Sequence, residues 1–80
     1  MSISTGEIEA LIRSELGDAE VRVQGADAKY QIQVIADEFS GLNAVKRQQR
    51  IYRIINPHIS SGEIHAVSMI LKTHEEHQAG

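Results

Sequence analysis

The chain has 80 residues, of which 41% are hydrophobic, and a formal net charge of −3. This size predicts one small domain, residues 1–80, and the hydrophobic share excludes a disordered chain. The absence of cysteine excludes disulfides, thiol catalysis and metal sites built from the chain's own thiolates. The negative charge argues against a protein that coats nucleic acid, and no apolar run is long enough to span a membrane, so we expect a soluble, cytoplasmic protein.

The first predicted element is a helix that begins after Ser4 and ends at Gly17. Ser4 is a good capping residue, and Glu7 follows three residues later to complete a capping box. Apolar residues then recur at helical spacing, namely Ile8, Leu11, Ile12 and Leu16. We expect this helix to contribute to the core and assign it no other function.

Two alternating segments follow, at residues 20–24 and 29–36. They predict strands that form an antiparallel hairpin around a turn at residues 25–28. Phe39, the only phenylalanine in the chain, is predicted to fill the end of the core.

A second helix is predicted to begin at Asn43, and it carries half of the eight lysine and arginine residues. These four are Lys46, Arg47, Arg50 and Arg53. Three of them recur at helical spacing and form one stripe. A run of charges is usually a solvated face. Here the charges have one sign and repel each other at this spacing, so a surface that binds a partner or nucleic acid is an equally good interpretation.

The opposite side of this helix is predicted to be buried. Its residues are Val45, Gln48, Ile51 or Tyr52, and Ile55. Asn56 and Pro57 then predict a break, with Asn56 capping a further short helical turn.

The segment from Glu63 to Leu71 is apolar on both faces of a predicted strand, a pattern typical of a strand covered on both sides. His65 interrupts this pattern, on the same face as Val67 and Met69. An imidazole at such a position needs a hydrogen-bond partner, a metal or an open rim. A core histidine bonded to a backbone carbonyl remains an alternative to a metal ligand at this point.

The order of predicted elements is α-β-β-α-α-β. A strand that returns across a helical connection lies parallel to the preceding strand through a right-handed crossover. We therefore predict an α+β fold, with a small mixed three-stranded sheet and helices on one face. Residues 73–80 are predicted to be a flexible tail, in which His74 and His77 would form at most a weak metal site.

The sequence gives little support for an enzyme. Ser68 lies on a strand with no base nearby in sequence, and Asp37-Glu38 is more simply an acidic pair that ends a strand. The segment Gly41–Ala44 lacks the second glycine of a KH-type loop, which disfavours RNA binding of that kind.

Three segments together resemble the signature of the BolA family. They are Phe39-Ser40-Gly41, the basic segment 45–52 and the segment Ile64–Met69. The pair of glutamines followed by a tyrosine in the basic segment is most similar to the short bacterial, IbaG-like branch. The resemblance extends from about Glu7 to Thr73.

This resemblance implies a fold, a cofactor and a partner. BolA-like domains have the predicted element order with class II KH-like topology. They pair with monothiol glutaredoxins, often through a shared [2Fe-2S] cluster, in iron–sulfur trafficking or iron homeostasis, and the position that matches His65 is a cluster ligand. We therefore expect a cluster shared with glutaredoxin and glutathione, none bound by this chain alone, and a monomer or weak homodimer when the chain is alone.

Some BolA-like proteins have also been regarded as DNA-binding transcriptional regulators. For this chain, that alternative would use the basic helix 45–53. The same helix would otherwise contact the protein partner.

The hairpin turn departs from the family pattern, in which a second ligand, histidine or cysteine, usually lies between the first two strands. Here the segment is 25–30, with Lys29 at the position of the histidine, and a protonated lysine does not coordinate iron. Asp27, which offers a hard oxygen, and His58 are the candidates for an uncertain second ligand. Because only neutral imidazole binds metal, the site is expected to be pH-sensitive.

Overall fold

The computed structural model describes residues 2–79. Along this part of the chain lie α1 (Thr5–Glu15), β1 (Glu20–Ala26), β2 (Lys29–Ile35), a 3-10 turn (Asp37–Phe39), α2 (Ala44–Ser60), β3 (Ala66–Lys72) and α3 (His74–Ala79). The predicted α+β fold is confirmed: among these residues, β1 pairs antiparallel with β2, and β3 pairs parallel with β2. Met1 and Gly80, which belong to the predicted domain and tail, lie outside the described residues.

The helices differ in two respects from the sequence prediction. The predicted break at Asn56-Pro57 is wrong, because α2 continues through Pro57 to Ser60. The buried Ile51 and Ile55 hold this helix against the core, and that packing outweighs the one hydrogen bond that proline removes. Within the predicted tail, His74–Ala79 form the helix α3. The predicted flexibility of the tail stays a prediction. None of the helices within residues 2–79 is long and apolar enough to cross a membrane.

The capping residues predicted from the sequence are confirmed for both long helices. The Ser4 side chain accepts a hydrogen bond from the backbone N–H of Glu7 at 3.1 Å, where α1 begins. The Asn43 side chain accepts one from the backbone N–H of Lys46 at 2.9 Å, where α2 begins. Each cap satisfies a backbone donor that has no partner inside its own helix.

The hairpin between β1 and β2 closes through a two-residue turn. Asp27 and Ala28 have φ values of 55° and 64°, a left-handed pair that matches the twist of the strands. Gly25 has a φ of 142°, and a Cβ at that position would lie 2.1 Å from the carbonyl oxygen of Lys29. Glycine is therefore required at this position of the hairpin.

The core lies between the sheet and the two long helices. Its fully buried side chains come from α1, β2, the 3-10 turn, α2 and the loop before β3, and they include Ile8, Ile12, Ile32, Val34, Phe39, Ile51, Ile55 and Ile64. Phe39 is 0% exposed, as predicted. This arrangement places the helices on one face of the sheet.

The opposite face of the sheet is open along β3. Ala66, Ser68 and Ile70 are exposed on that face, while the alternate residues are half-buried. The prediction that this strand is covered on both sides is wrong, because β3 is an edge strand and its outer face has no helix over it within residues 2–79.

The buried side of α2 also differs from the prediction at its first turn. Val45 is 61% exposed and Gln48 is exposed, whereas Arg47 is largely buried. The guanidinium of Arg47 lies 5.8 Å from the centre of the Phe39 ring, a favourable cation–π contact. A charged residue therefore occupies the inward side of this turn.

Candidate functional site

His65 lies at the rim of the sheet, immediately before β3. Its backbone N–H and that of Ala66 both donate to the carbonyl oxygen of Ala28, at 2.7 and 3.1 Å. These bonds begin the parallel pairing of β3 with the hairpin. The backbone of His65 is thus fixed beside the turn, and Ile64, only 2% exposed, anchors the residue before it in the core.

The imidazole of His65 points away from the core and is exposed. Within residues 2–79, the histidine rings that form hydrogen bonds are those of His58 and His74, and the ring of His65 forms none. The Nε2 atom of His65 lies 3.9 Å from the position that a Cβ would have on Gly62, so the glycine leaves space beside the ring. Of the alternatives for this residue, the structure supports the open rim and excludes the buried core histidine. Its role as a metal ligand stays a prediction.

The two candidates for a second ligand have different surroundings. Asp27 is exposed and adjoins Ala28, whose carbonyl holds the backbone of His65. The Nδ1 atom of His58 lies 2.9 Å from the Glu63 carboxylate. This hydrogen bond is the main reason that the pKa of Glu63 is lowered, and a hydrogen bond from the Ser61 hydroxyl is the second. The fold thus places the turn that carries Asp27 next to His65. One ring nitrogen of His58 is instead occupied by its bond with Glu63.

The residues around His65 provide only part of a metal site. Within residues 2–79, no three histidine, aspartate or glutamate side chains converge in an arrangement that could hold an ion. Lys29 lies opposite Ala66 in the sheet, and its ammonium group is not a ligand. One exposed imidazole on a chain without thiolates fits a single terminal position on a metal centre whose other ligands come from another molecule.

The four basic residues predicted on α2 are partly neutralised by the fold. Arg47 forms two bonds with Glu76, at 2.6 and 3.0 Å, and also donates to the carbonyl of Leu71. Arg50 donates to the Glu38 carboxylate at 2.8 Å. Sequence reasoning missed these pairs because the partners lie 29 and 12 residues away along the chain.

The other two basic residues of α2 remain available. Lys46 and Arg53 are exposed, and the ion pairs of arginine and lysine side chains in the described part of the chain all involve Arg47 or Arg50. The surface that could contact a nucleic acid or an acidic partner therefore reduces from four cations to two.

His74, which sequence analysis placed in a flexible tail, is held by two carboxylates. Its Nδ1 lies 2.9 Å from Asp37 and its Nε2 lies 3.4 Å from Glu20. The hydrogen bond with Asp37 is the main reason that the pKa of His74 is raised and the pKa of Asp37 is lowered. Asp37 and Glu38 thus have separate partners, since Glu38 pairs with Arg50.

Comparison with known proteins identifies relatives in sequence and in fold. The family described as "BolA-like protein" matches residues 5–76. The chain is 40% identical over 70 residues to an uncharacterized protein of Haemophilus influenzae, covering 88% of this chain and 82% of that one. It is 31% identical over 67 residues to the acid stress protein IbaG of Escherichia coli K12, covering 84% and 80%. The solved BolA domain of SufE1 from Arabidopsis thaliana matches with a TM-score of 0.81 at 25% identity, over 95% of this chain and 98% of that domain.

Proposed function

The chain belongs to the BolA family and resembles its IbaG-like branch, and from this premise we propose that it is a non-enzymatic adaptor in iron–sulfur trafficking or iron homeostasis. It would pair with a monothiol glutaredoxin through a shared [2Fe-2S] cluster. One observation carries the proposal: the exposed imidazole of His65 in a chain without cysteine. The chain offers this imidazole and lacks the thiolates to hold a cluster by itself.

The ligand chemistry explains why such a chain needs a partner. Iron–sulfur clusters are usually held by thiolates, and imidazole replaces some of them in Rieske centres, where it raises the reduction potential. In the proposed complex, the glutaredoxin and its glutathione would supply two sulfurs and His65 one nitrogen. Because only the neutral ring binds metal, acidification would weaken the contribution of His65.

The surrounding residues fix the backbone of His65 and leave its imidazole exposed. The carbonyl of Ala28 fixes the backbone of His65, Ile64 is buried behind it and Gly62 leaves space beside the ring. A ligand to an intermolecular metal must be both exposed and well positioned; these contacts support the proposal by fixing the backbone from which the exposed ring extends.

The test uses His65→Ala, reconstituted anaerobically with a monothiol glutaredoxin, glutathione, iron and sulfide. We expect the visible absorption and circular dichroism of the bridged cluster to be altered or lost. His77→Ala removes another exposed imidazole, on α3, and is expected to leave the spectrum of the wild-type complex unchanged. An unchanged cluster spectrum with the His65→Ala protein would contradict the proposal.

The second ligand is identified by two further variants in the same assay. Asp27→Asn removes the carboxylate, and asparagine tolerates the left-handed conformation of this turn position. His58→Ala removes the imidazole that bonds to Glu63. The variant that changes the spectrum marks the second ligand, and if neither does, that position is filled from outside this chain.

A further inference from the structure

The two outer strands of the sheet have different edges. On β1, the Glu9 carboxylate accepts from the N–H of Val23 at 3.1 Å, and Arg13 donates to the carbonyl of Val21 at 3.3 Å. Side chains of α1 thus occupy that edge. On β3, the corresponding contact within residues 2–79 is the bond from Arg47 to the carbonyl of Leu71.

The hydrogen bonds at both ends of β3 show which backbone groups point outward. The N–H of Ala66 bonds to the hairpin, and the carbonyl of Lys72 accepts from Ala36, so even-numbered residues of β3 face β2. Because successive residues of a strand point their backbone groups to opposite sides, Val67, Met69 and Leu71 face outward. With the Leu71 carbonyl engaged, Val67 and Met69 present two N–H and two C=O groups along the edge.

The side chains of this strand are uncharged, and the charged residues beside it, Arg47 and Glu76, pair with each other. No charged residue occurs between positions 66 and 71. The large hydrophobic side chains that are exposed among the described residues are Val45, at 61%, and Ile70, at 38%. Ile70 lies on the open face of β3, beside this outer edge.

We propose that this edge pairs with the same edge of a second copy of this chain, in an antiparallel ladder with Ser68 at the two-fold axis. Val67 of each copy would lie opposite Met69 of the other, which uses all the free backbone groups of these two residues in four hydrogen bonds. A ladder centred on Met69 would instead need the carbonyl of Leu71, which Arg47 occupies.

The properties of the edge favour a second copy over a different partner. The free groups are self-complementary under two-fold symmetry, and the uncharged strand creates no repulsion between copies. On the open face, Ser68 would meet its counterpart, and the exposed Ile70 would be covered by Ala66 of the other copy. The contact is small, so the dimer forms in a concentration-dependent manner.

Disulfide trapping tests the register directly, because the chain has no cysteine of its own. At a non-hydrogen-bonded antiparallel pair, the Cα atoms are about 4.5 Å apart, within the range that a disulfide spans. Under mild oxidation, we expect Ser68→Cys to form a covalent dimer. Gln31→Cys, on the neighbouring strand opposite Ser68, would be about 14 Å from its counterpart, or three strand spacings, and is expected to stay monomeric. Equal cross-linking of both variants would overturn the proposal.

Sedimentation equilibrium tests the unlinked dimer. Ser68→Lys places like charges at the axis and is expected to raise the dissociation constant severalfold, while Gln31→Lys, with the same added charge, leaves it unchanged. Mixing Ser68→Lys with Ser68→Glu should restore pairing between the two variants. A wild-type chain that remains monomeric at millimolar concentration overturns the proposal, and if Ser68→Lys instead weakens binding to glutaredoxin, the edge is the docking site of that partner.

Discussion

The two turn residues beside His65 have the most constrained backbone in the hairpin. Ala28 has a left-handed conformation, which costs about 1 kcal/mol for a residue with a Cβ, and its carbonyl accepts the bonds that begin β3. Local strain of this kind often occurs where a fold positions a functional group. At this site, the turn fixes the backbone of His65, and no turn side chain bonds to its ring among the contacts within residues 2–79.

Gly25→Ala tests how strongly the chain depends on this turn. The added Cβ would meet the Lys29 carbonyl at 2.1 Å, and we expect the free energy of unfolding to fall by about 2 kcal/mol or more. The matched control is Gly6→Ala in α1, where a Cβ would have no neighbour within 4 Å. Since alanine is the better helix former, that variant should be more stable by about 0.5 kcal/mol. Chemical denaturation measures both, and equal effects would contradict the prediction.

At the scale of elements, α3 is attached to the domain by charged side chains, since its own residues are not buried. The Glu76 carboxylate bonds to Arg47 and also accepts the N–H of Thr73, and Thr73 Oγ1 accepts the N–H of Glu76 in return. His74 bonds to Asp37. The attachment of this helix should therefore depend on pH.

The direction of this pH dependence follows from two pairs, Glu76 with Arg47 and His74 with Asp37. The bond with Arg47 lowers the pKa of Glu76 to about 2, so its contribution is complete above its ordinary value of 4.5 and is lost as the pH falls toward 2. The pKa of His74 is raised above 6.5 by Asp37, with smaller effects from Glu20 and Asp18. Its contribution is complete below pH 6.5 and is lost as the pH rises through the raised pKa.

We therefore expect α3 to be held most firmly between about pH 4.5 and 6.5, the ordinary values of the two groups. Amide hydrogen-exchange protection factors of residues 74–79 measure this attachment. His74→Gln should abolish the loss of protection on the alkaline side, whereas His77→Gln, which changes an exposed ring on the same helix, should retain it. Protection that does not change from neutral to alkaline pH in the wild-type chain would contradict this expectation.

At the scale of the whole molecule, half of the basic residues of α2 are paired with carboxylates within the fold. The net charge is −3, and Arg47 and Arg50 pair with carboxylates from α3 and the 3-10 turn. The DNA-binding alternative therefore depends on Lys46 and Arg53, while a protein partner needs fewer cations.

The salt dependence of binding to a DNA duplex tests this alternative. Two phosphate contacts predict a slope of log K against log salt no steeper than about −1.8. Lys46→Ala with Arg53→Ala should remove most of that slope. Arg22→Ala with Lys29→Ala removes two exposed charges from the open face of the sheet and should leave it unchanged. A slope of about −3.6 or steeper would show that Arg47 and Arg50 also leave their ion pairs to contact phosphate.

The sequence by itself determined the features that are encoded within a few neighbouring residues. Alternation predicted the hairpin, helical spacing and caps at Ser4 and Asn43 located the long helices, and a helical connection predicted the parallel strand. The resemblance to the BolA family was carried by short segments and identified His65 as the candidate ligand. Such local patterns can be recognised in a sequence because side-chain periodicity follows directly from backbone geometry.

Only the tertiary structure decided which side chains are exposed and which charges are paired. The bonds from Arg50 to Glu38, from Arg47 to Glu76 and between His74 and Asp37 join residues that are 12, 29 and 37 positions apart. No spacing rule predicts contacts between such residues, since the fold of the intervening chain determines the distance between them. The same holds for His65: its periodicity assigned it to the core-facing side of a strand, and the start of β3 at Ala66, against the hairpin turn, placed its ring at the open rim.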